Sequence, residues 1–294
     1  HFHLFGIGFG SNLDRAQEIA KEFNPDHIFV AQSQTNKSHI FWQEHSNTLS
    51  SEDELRALIQ DSSVDIVISA ISGFAGLKAS YFAIEAGKVI LIANKESIVA
   101  AGDILMPLAE TKNSQIIPVD SEHNALYQCL PSKRNISEIS KILITASGGP
   151  FRKKSLSDLR GVSLSDALNH PTWSMGAKIT IDSATLVNKC LELIEAHYLF
   201  NIPESQIEVV VHPQSIIHSM VTFIDGSTIG QMSNPSMEVP ISHALGMGGR
   251  LPIDFQEIDF SRLTLSFEPI EDDREIIFDM ARDCLLYTSP SPRD

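Results

Sequence analysis

The sequence predicts an α/β protein in which a doubly wound parallel sheet precedes a second, α+β domain. Apolar, β-branched runs alternate with helix-like segments as far as residue 119, a rhythm that is typical of parallel sheets. From residue 120 onward this alternation is lost, and two strand-like runs flank an Asp-Gly pair that is typical of a hairpin. A chain of 294 residues is long enough for two such domains.

The first domain is predicted to span residues 1–119. Its clearest strand, residues 64–71, is a continuous apolar run of the kind that is buried on both faces of a sheet. Gly87 follows a helix-like segment and is expected to end that helix. The predicted strands are residues 26–31, 64–71, 88–93 and 115–119, and the predicted helices are residues 14–23, 77–86 and 97–108.

The second domain is predicted at residues 120–283, on a mixed or antiparallel sheet. Residues 183–200 form a strong helical pattern. The predicted strands are residues 141–146, 208–211, 219–224 and 227–231, the last two around Asp225-Gly226. Residues 284–294 are expected to be a non-native tail, because their end is rich in Pro and Ser and lacks periodicity; an ordinary flexible terminus is an equal alternative.

Composition limits the classes of partner. The formal net charge of −15 disfavours nucleic acid and anionic membranes, although a phosphorylated small molecule needs only a local cluster of donors. Three widely spaced cysteines favour a reduced compartment. The sequence contains no run of 18 apolar residues, so no membrane span is predicted. We therefore expect a cytoplasmic protein. A plastid location stays open if a transit peptide has been lost, because the sequence does not begin with Met.

A glycine run near the start invites a dinucleotide-binding interpretation. Gly6 and Gly8 match the beginning of such a fingerprint, but the third glycine is replaced by Ser11. A flexible turn is therefore the favoured interpretation of this run. If the domain is Rossmann-like, the phosphate-binding turn should follow the first strand. We expect that strand and its turn to lie upstream of residue 1.

Two carboxylates follow the predicted strand at residues 115–119. Asp120 and Glu122 are two residues apart and point the same way if the extended conformation continues. Ligands of open α/β sheets collect at the carboxyl ends of strands, and hard divalent cations prefer oxygen ligands. The alternative is that Asp120 or Ser121 caps a following helix at residues 124–130, which is at least as common a role for such residues.

The helix at residues 183–200 carries a second polar group. Asn188 and Glu192 are four residues apart and share one face, with Lys189 beside them. Ser183 is expected near the helix N-terminus, where backbone N–H groups favour an anion. This pattern predicts a metal and a phosphate together, while a solvated helix face with an ordinary cap is an equal alternative.

Two loops complete the candidate chemistry. Ser147 begins a Ser-Gly-Gly turn that can present backbone N–H groups to an oxyanion, although a turn of this kind needs no function. Residues 170–176 (HPTWSMG) have the composition of a mobile lid. The alternative for Trp173 is a buried structural anchor.

These segments together resemble one family, the 1-deoxy-D-xylulose 5-phosphate reductoisomerases, over nearly all of residues 1–283. Each motif is modest alone, but their joint occurrence in order is specific. The matching strings are residues 93–97 (ANKES), 118–125 (PVDSEHNA), 147–151 (SGGPF), 170–176, 182–189 (DSATLVNK) with Glu192, and 212–218 (HPQSIIH).

The resemblance implies roles for individual residues. The implied Mg²⁺ or Mn²⁺ ligands are Asp120, Glu122 and Glu192, and the implied phosphate site comprises Ser147, Ser183, Asn188 and Lys189. His170 would close over the substrate, Lys95 and Ser121 would contact its hydroxyl groups, and Trp173 and Met175 would belong to the flap. The implied NADPH contacts are Gly10, Ser11, Asn12, Gly73, Asn94, Glu96 and Met237.

The implied activity is metal-dependent rearrangement and NADPH-dependent reduction of 1-deoxy-D-xylulose 5-phosphate, by an enzyme that is a homodimer at full length. The sequence departs from the family pattern in lacking the N-terminal glycine turn and the helical C-terminal domain, and Ser11 supplies no basic group. We therefore expect this chain itself to be inactive, and an inactive sugar-phosphate-binding module is the alternative function. A metal-free Rossmann-like dehydrogenase is a further rival.

Overall fold

The computed structural model describes residues 2–10, 12–31, 48–130, 136–155, 157–173 and 175–288. The chain forms two compact units. The first comprises His1–Asn94 and Pro107–Ile116, and the second comprises Lys95–Met106 and Ile117–Asp294. The division after Ile116 lies three residues before the predicted domain boundary, and the first part of one helix joins the second unit.

Residues 6–118 contain parallel strands joined by helices, which agrees with the predicted α/β class. The described strands form two three-stranded sheets, with the orders β1-β2-β3 and β4-β5-β6, where one doubly wound sheet was expected. All pairings of β1 with β2, β2 with β3 and β4 with β5 are parallel. The strands are β1 (Gly6–Phe9), β2 (His27–Val30), β3 (Thr48–Leu49), β4 (Ile66–Ser69), β5 (Val89–Ile92) and β6 (Ile116–Pro118).

Strand β1 corrects the interpretation of the glycine run as a flexible turn. Ile7 and Phe9 pack against a core formed by Ala16, Ala20, Ile28 and Val30. A Cβ at Gly6 would lie 3.1 Å from the Leu58 side chain, so this glycine permits close packing against the helix Glu52–Gln60. The alternation of apolar residues therefore outweighs the turn preference of glycine here.

The three helices predicted in this part of the chain lie near their predicted positions, whereas the helix Glu52–Gln60 was not predicted. Ser51 and Glu54 form a capping box, which satisfies backbone donors at the start of α2. The fourth helix is longer than predicted and is kinked at Ala101, where φ is −145°. The helices are α1 (Leu13–Phe23), α2 (Glu52–Gln60), α3 (Leu77–Glu85) and α4 (Lys95–Lys112).

The second unit is built on a mixed four-stranded sheet, as expected, with the order β10-β9-β7-β8. Strand β7 pairs parallel with β8 and antiparallel with β9, and β9 forms the predicted hairpin with β10. Gly226 adopts a φ of +85° in the hairpin turn. The strands are β7 (Ile139–Ala146), β8 (Ile207–Val211), β9 (Ile217–Phe223) and β10 (Thr228–Met232).

The long helix predicted at residues 183–200 is two helices. Leu186 separates them in a left-handed conformation with φ of +64°, and its backbone N–H donates to Ser183 O at 3.2 Å. The break could not be predicted, because leucine is a strong helix former. The helices of the unit are α5 (Ser121–Cys129), α6 (Leu164–Leu168), α7 (Ala177–Ala184), α8 (Val187–Phe200), α9 (Glu238–Leu245) and α10 (Asp272–Thr288).

Helix α8 lies at the centre of this unit. It contacts α7, α10 and β8, while α5 packs against β9 and β10. The predicted tail at residues 284–294 begins inside α10, and its last six residues lie outside the described ones. Among the described residues, no helix is both long enough and apolar enough to traverse a bilayer.

Candidate metal and substrate site

Three carboxylates of the second unit converge at the start of α5 and in the first half of α8. Oxygen atoms of Asp120, Glu122 and Glu192 all lie within 4.8 Å of one another. Asp120 occupies the N-cap position of α5, but its side chain makes no capping hydrogen bond. The capping alternative for Asp120 is therefore wrong, and its carboxylate faces the other two.

Two buried lysines lie among these carboxylates. Lys95 Nζ pairs with Asp120 and lies 3.2 Å from Glu192 Oε1. Lys189 Nζ lies 2.7 Å from Glu122 Oε1 and 2.6 Å from Glu192 Oε2. The two side chains are only 11% and 7% exposed. Three carboxyl groups therefore share two ammonium partners in a mostly buried site.

Burial and the neighbouring charges shift the pKa values of these groups in different directions. Burial raises the pKa of Glu192 to about 7, and the Glu122 carboxylate adds to the shift. Burial would also raise the pKa of Glu122, but the Lys189 ammonium outweighs it and holds that pKa far below its usual value. Burial would lower the pKa of Lys95, yet Asp120 and Glu192 raise it well above its ordinary value. The charge of each group in the cluster therefore depends on its neighbours.

Ser121 and Asn188 hold individual carboxylates in place. The Ser121 hydroxyl donates to Glu122 Oε2 at 2.6 Å. Asn188 Nδ2 donates to Glu192 Oε1 at 2.5 Å, and Asn188 Oδ1 accepts from Lys95 Nζ at 3.0 Å. Asn188 and Lys189 thus contact the carboxylates directly, whereas the phosphate donors were expected to form a cluster apart from them. The physical reason is that buried carboxylates bind the nearest available donors.

Ser147 lies in a second polar group with His170. Backbone N–H groups of Thr172 and Trp173 donate to His170 Nδ1 at 3.1 and 2.9 Å, so the neutral ring carries its proton on Nε2. That Nε2 lies 3.0 Å from Ser147 Oγ and donates to it. Burial lowers the pKa of His170, which favours the neutral ring.

The turn after β7 places Gly149 beside the end of α7. Gly149 has φ of +66°, and a Cβ there would lie 2.8 Å from Ser183 O. Ser183 lies in the last turn of α7, so its predicted place at a helix N-terminus is wrong. The nearby N-terminus is that of α8, whose first turn carries Asn188 and Lys189.

The flap residues lie on the segment before α7. The Trp173 and His218 rings are 6.2 Å apart and tilted by 60°, and both Trp173 and Met175 are half-buried. Lys178, on the first turn of α7, lies 2.9 Å from Glu96 Oε1 and 2.8 Å from Asp182 Oδ2. This pairing ties α7 to α4 and involves Glu96, which was assigned to the cofactor.

The other predicted cofactor residues lie mostly in the first unit. Asn12 caps α1 by accepting from Arg15 N at 3.2 Å. Buried Asn94 donates to Gly73 O at 2.9 Å and also to Ile71 O. Gly10 is exposed after β1, Ser11 lies outside the described residues, and Met237 precedes α9 in the second unit with 39% of its surface exposed.

Sequence reasoning gave no role to two buried residues of the site. His123 Nε2 contacts Glu192 O at 2.8 Å, and His123 Nδ1 lies 3.3 Å from Glu195 Oε2. The available signal was positional, because Glu195 follows Glu192 by three residues and so shares its helix face.

Comparisons with known proteins agree on one family. The protein-family model described as 1-deoxy-D-xylulose 5-phosphate reductoisomerase matches residues 1–102. The family model of the C-terminal domain of the same enzyme matches residues 116–200. The reductoisomerase of Francisella tularensis subsp. novicida is 44% identical over 268 residues, covering 90% of this chain and 70% of that protein. The enzyme of Chlamydia caviae is 43% identical over 288 residues, covering 96% and 76%.

Solved structures give the same result. A crystal structure of DOX-P reductoisomerase in complex with NADPH, fosmidomycin and magnesium is 39% identical, with a TM-score of 0.91 over 96% of this chain and 72% of that one. The 1-deoxy-D-xylulose 5-phosphate reductoisomerase from Zymomonas mobilis in complex with NADPH is 36% identical, with a TM-score of 0.88 over 97% and 74%.

Proposed function

The chain belongs to the 1-deoxy-D-xylulose 5-phosphate reductoisomerase family, and from this premise we propose that it rearranges 1-deoxy-D-xylulose 5-phosphate and reduces the product with NADPH to 2-C-methyl-D-erythritol 4-phosphate, in isoprenoid precursor synthesis. The observation that carries the proposal is the convergence of Asp120, Glu122 and Glu192. The comparisons favour this enzyme over the alternative of an inactive sugar-phosphate-binding fragment.

Asp120, Glu122 and Glu192 fit a divalent cation of the magnesium or manganese class. All three offer carboxylate oxygens, which these hard cations prefer. The ammonium groups of Lys95 and Lys189 already contact the same carboxylates, which indicates that the pocket is shaped for positive charge. A bound metal would supply Lewis-acid stabilisation of developing negative charge on substrate oxygens. Ser121 and Asn188 would hold the ligand carboxylates in orientation.

The substrate phosphate is assigned to Ser147, Ser183, Asn188 and Lys189, with His170 over it. Ser147 Oγ accepts from His170 Nε2 and from Gly149 N at 3.3 Å. A hydroxyl that already accepts two hydrogen bonds has its own proton directed to a third partner, which a phosphate oxygen can be. The phosphate lies away from the reacting carbons, so its binding energy serves to orient the substrate.

The first unit supports NADPH binding. Gly10 and Gly73 follow the carboxyl ends of β1 and β4, where ligands of α/β sheets bind. A Cβ at either glycine would meet nothing within 4 Å, so a ligand can approach the backbone there. Asn94 fixes the Gly73 carbonyl, and the hydride chemistry itself belongs to the cofactor. The family resemblance also assigns Glu96 and Met237 to the cofactor.

The proposed oligomeric state, compartment and partners follow from the family and from the net charge of the chain. We infer a homodimer in the cytoplasm, with a plastid as the alternative compartment. Free thiols at Cys129, Cys190 and Cys284 suit a reducing environment. The net charge of −15 opposes binding to nucleic acid or an anionic membrane. A metal-free dehydrogenase is disfavoured, because it would leave three mutually repelling carboxylates without use.

The deciding experiment is removal of the metal and of one ligand. Turnover should be lost in excess EDTA and restored by Mg²⁺ or Mn²⁺. Glu192→Gln should lower turnover at least about a hundred-fold, because several kcal/mol of charge stabilisation depend on the metal. Glu208→Gln, at an exposed carboxylate paired with Lys141, is the matched control and should change neither turnover nor melting temperature. Full turnover in excess EDTA contradicts the metal assignment.

A further inference from the structure

His123 is fully buried between α5 and α8. Its Nε2 lies 2.8 Å from the backbone carbonyl of Glu192. A carbonyl oxygen can only accept, so Nε2 carries a proton and donates it. The Phe200 ring stacks on the imidazole with a centroid separation of 6.3 Å and an angle of 5°, which fixes the plane of the ring.

The other nitrogen of His123 faces a carboxyl group that the chemistry described above does not use. Nδ1 lies 3.3 Å from Glu195 Oε2 and 3.9 Å from Asp120 Oδ2. Glu195 is fully buried, and neither of its oxygens forms a well-aligned hydrogen bond within the described part of the chain. Burying a carboxyl group in this way costs stability unless a partner compensates. Glu195 therefore has a reason other than packing to face His123.

We propose that His123 and Glu195 are positioning residues of the metal site, acting on Asp120, Glu122 and Glu192 without touching the metal or the substrate. This inference rests on the proposed function, because it takes those three carboxylates as the metal ligands.

The positioning acts through the backbone. His123 follows Glu122 in the first turn of α5, and its bond to the Glu192 carbonyl fixes that turn against α8. The distance between the first two ligands and the third is thereby set by one imidazole. Glu195, one helical turn beyond Glu192, holds the ring from its other side. Groups that orient metal ligands in this way typically change metal affinity about ten- to a hundred-fold when they are removed.

The test measures Mn²⁺ binding to the metal-free chain by electron paramagnetic resonance, from the signal of free Mn²⁺ and the line shape of the bound ion. His123→Asn cannot reach the Glu192 carbonyl and should weaken Mn²⁺ binding about ten- to a hundred-fold with a changed line shape. His123→Gln carries an N–H donor near the position of Nε2 and should bind within about threefold of the unmodified chain.

Glu195 is tested in the same way. Glu195→Leu removes the polar contact and should weaken binding about tenfold or more. The amide N–H of Glu195→Gln can donate to an unprotonated Nδ1, so this variant should bind within about threefold. His197→Gln is the control, because His197 lies on the same helix and its ring also contacts a backbone carbonyl, that of Ile202 at 2.9 Å. This variant should leave the Mn²⁺ affinity unchanged.

The outcomes separate the two proposals. If the unmodified chain does not bind Mn²⁺, or Glu192→Gln binds it equally well, the proposed metal site fails and the positioning role fails with it. If Glu192→Gln abolishes binding while His123→Asn and Glu195→Leu bind normally, only the positioning role is overturned. If circular dichroism shows that those two variants do not fold, the glutamine variants decide: binding within about threefold supports the role, and a loss of about tenfold overturns it.

Discussion

Gly149→Ala tests whether the turn after β7 is fitted to the end of α7. The residue has φ of +66°, and an added Cβ would lie 2.8 Å from Ser183 O and 3.3 Å from Ala184 Cα. The left-handed conformation costs a non-glycine residue about 1–2 kcal/mol. Forcing a methyl group against backbone that cannot rotate away costs a further ~1–3 kcal/mol. We expect the free energy of unfolding to fall by about 2–5 kcal/mol.

Gly226→Ala is the matched control. Gly226 has φ of +85° in the β9–β10 hairpin, and a Cβ there would meet nothing within 4 Å. Only the conformational cost of about 1–2 kcal/mol applies. The difference between the two variants, about 1–3 kcal/mol, therefore measures the contact between the Ser147 turn and α7.

The assay is equilibrium unfolding in urea, followed by tryptophan fluorescence and repeated by circular dichroism. Both variants should keep the slope of the free energy against urea, so that midpoints can be compared directly. Gly149→Ala should also raise the KM for the phosphorylated substrate, because the turn carries Ser147, whereas Gly226→Ala should not. Equal midpoints for the two variants would refute the reasoning, since they would mean that the turn does not press against α7.

Three further perturbations test charge and polarity. In the presence of a chelator, Lys95→Met leaves buried carboxylates uncompensated and should lower the free energy of unfolding by roughly 3–5 kcal/mol. Added Mn²⁺ should restore part of this stability. If it restores none, the shared cation site is contradicted. Burial lowers the pKa of His243 below the ordinary value of about 6.5, so the unfolded chain binds more protons and stability falls as pH drops through that value. His243→Gln should reduce the difference in urea midpoint between about pH 7.5 and pH 5.5, and an unchanged difference assigns the effect to other groups. Ser147→Ala removes the acceptor of His170 Nε2 and should raise the substrate KM about tenfold at unchanged melting temperature; an unchanged KM removes Ser147 from the phosphate site.

The sheet strands were predictable because their signal is local. Residues 64–71 and 88–93 are apolar runs, and the structure places β4 and β5 within them, paired in parallel. Strand β1 was missed because its glycines resemble a turn. Its strand conformation depends on pairing with β2 and on packing against a core formed by other parts of the chain. Local composition cannot weigh such contacts.

The break between α7 and α8 was beyond prediction for a related reason. Leu186 is buried and holds a positive φ, although leucine normally stabilises a helix. Tertiary packing therefore imposes the conformation. The same break places Ser183 in the last turn of α7, so the expected position of Ser183 at a helix N-terminus was wrong.

The spacing of residues in the sequence predicted only part of the carboxylate cluster. Asp120 and Glu122 are two residues apart, and the strand before them indicates a binding edge. Glu192 is about 70 residues further on, and its approach to the other two depends on how α5 and α8 pack. Only the family resemblance linked these positions. It did not assign roles to His123 and Glu195, whose importance emerges from burial and contact distance.

The polar interior of the second unit is a costly way to stabilise a fold. Buried ion pairs often contribute less than apolar residues of the same volume, yet α8 buries Glu192 and Glu195 on the same helix as Leu193 and Ala196. The ammonium groups of Lys95 and Lys189 do not fully compensate the carboxylates around them. Such an arrangement persists when its charge is needed for binding, and a dication shared by Asp120, Glu122 and Glu192 is the simplest partner that supplies the missing positive charge.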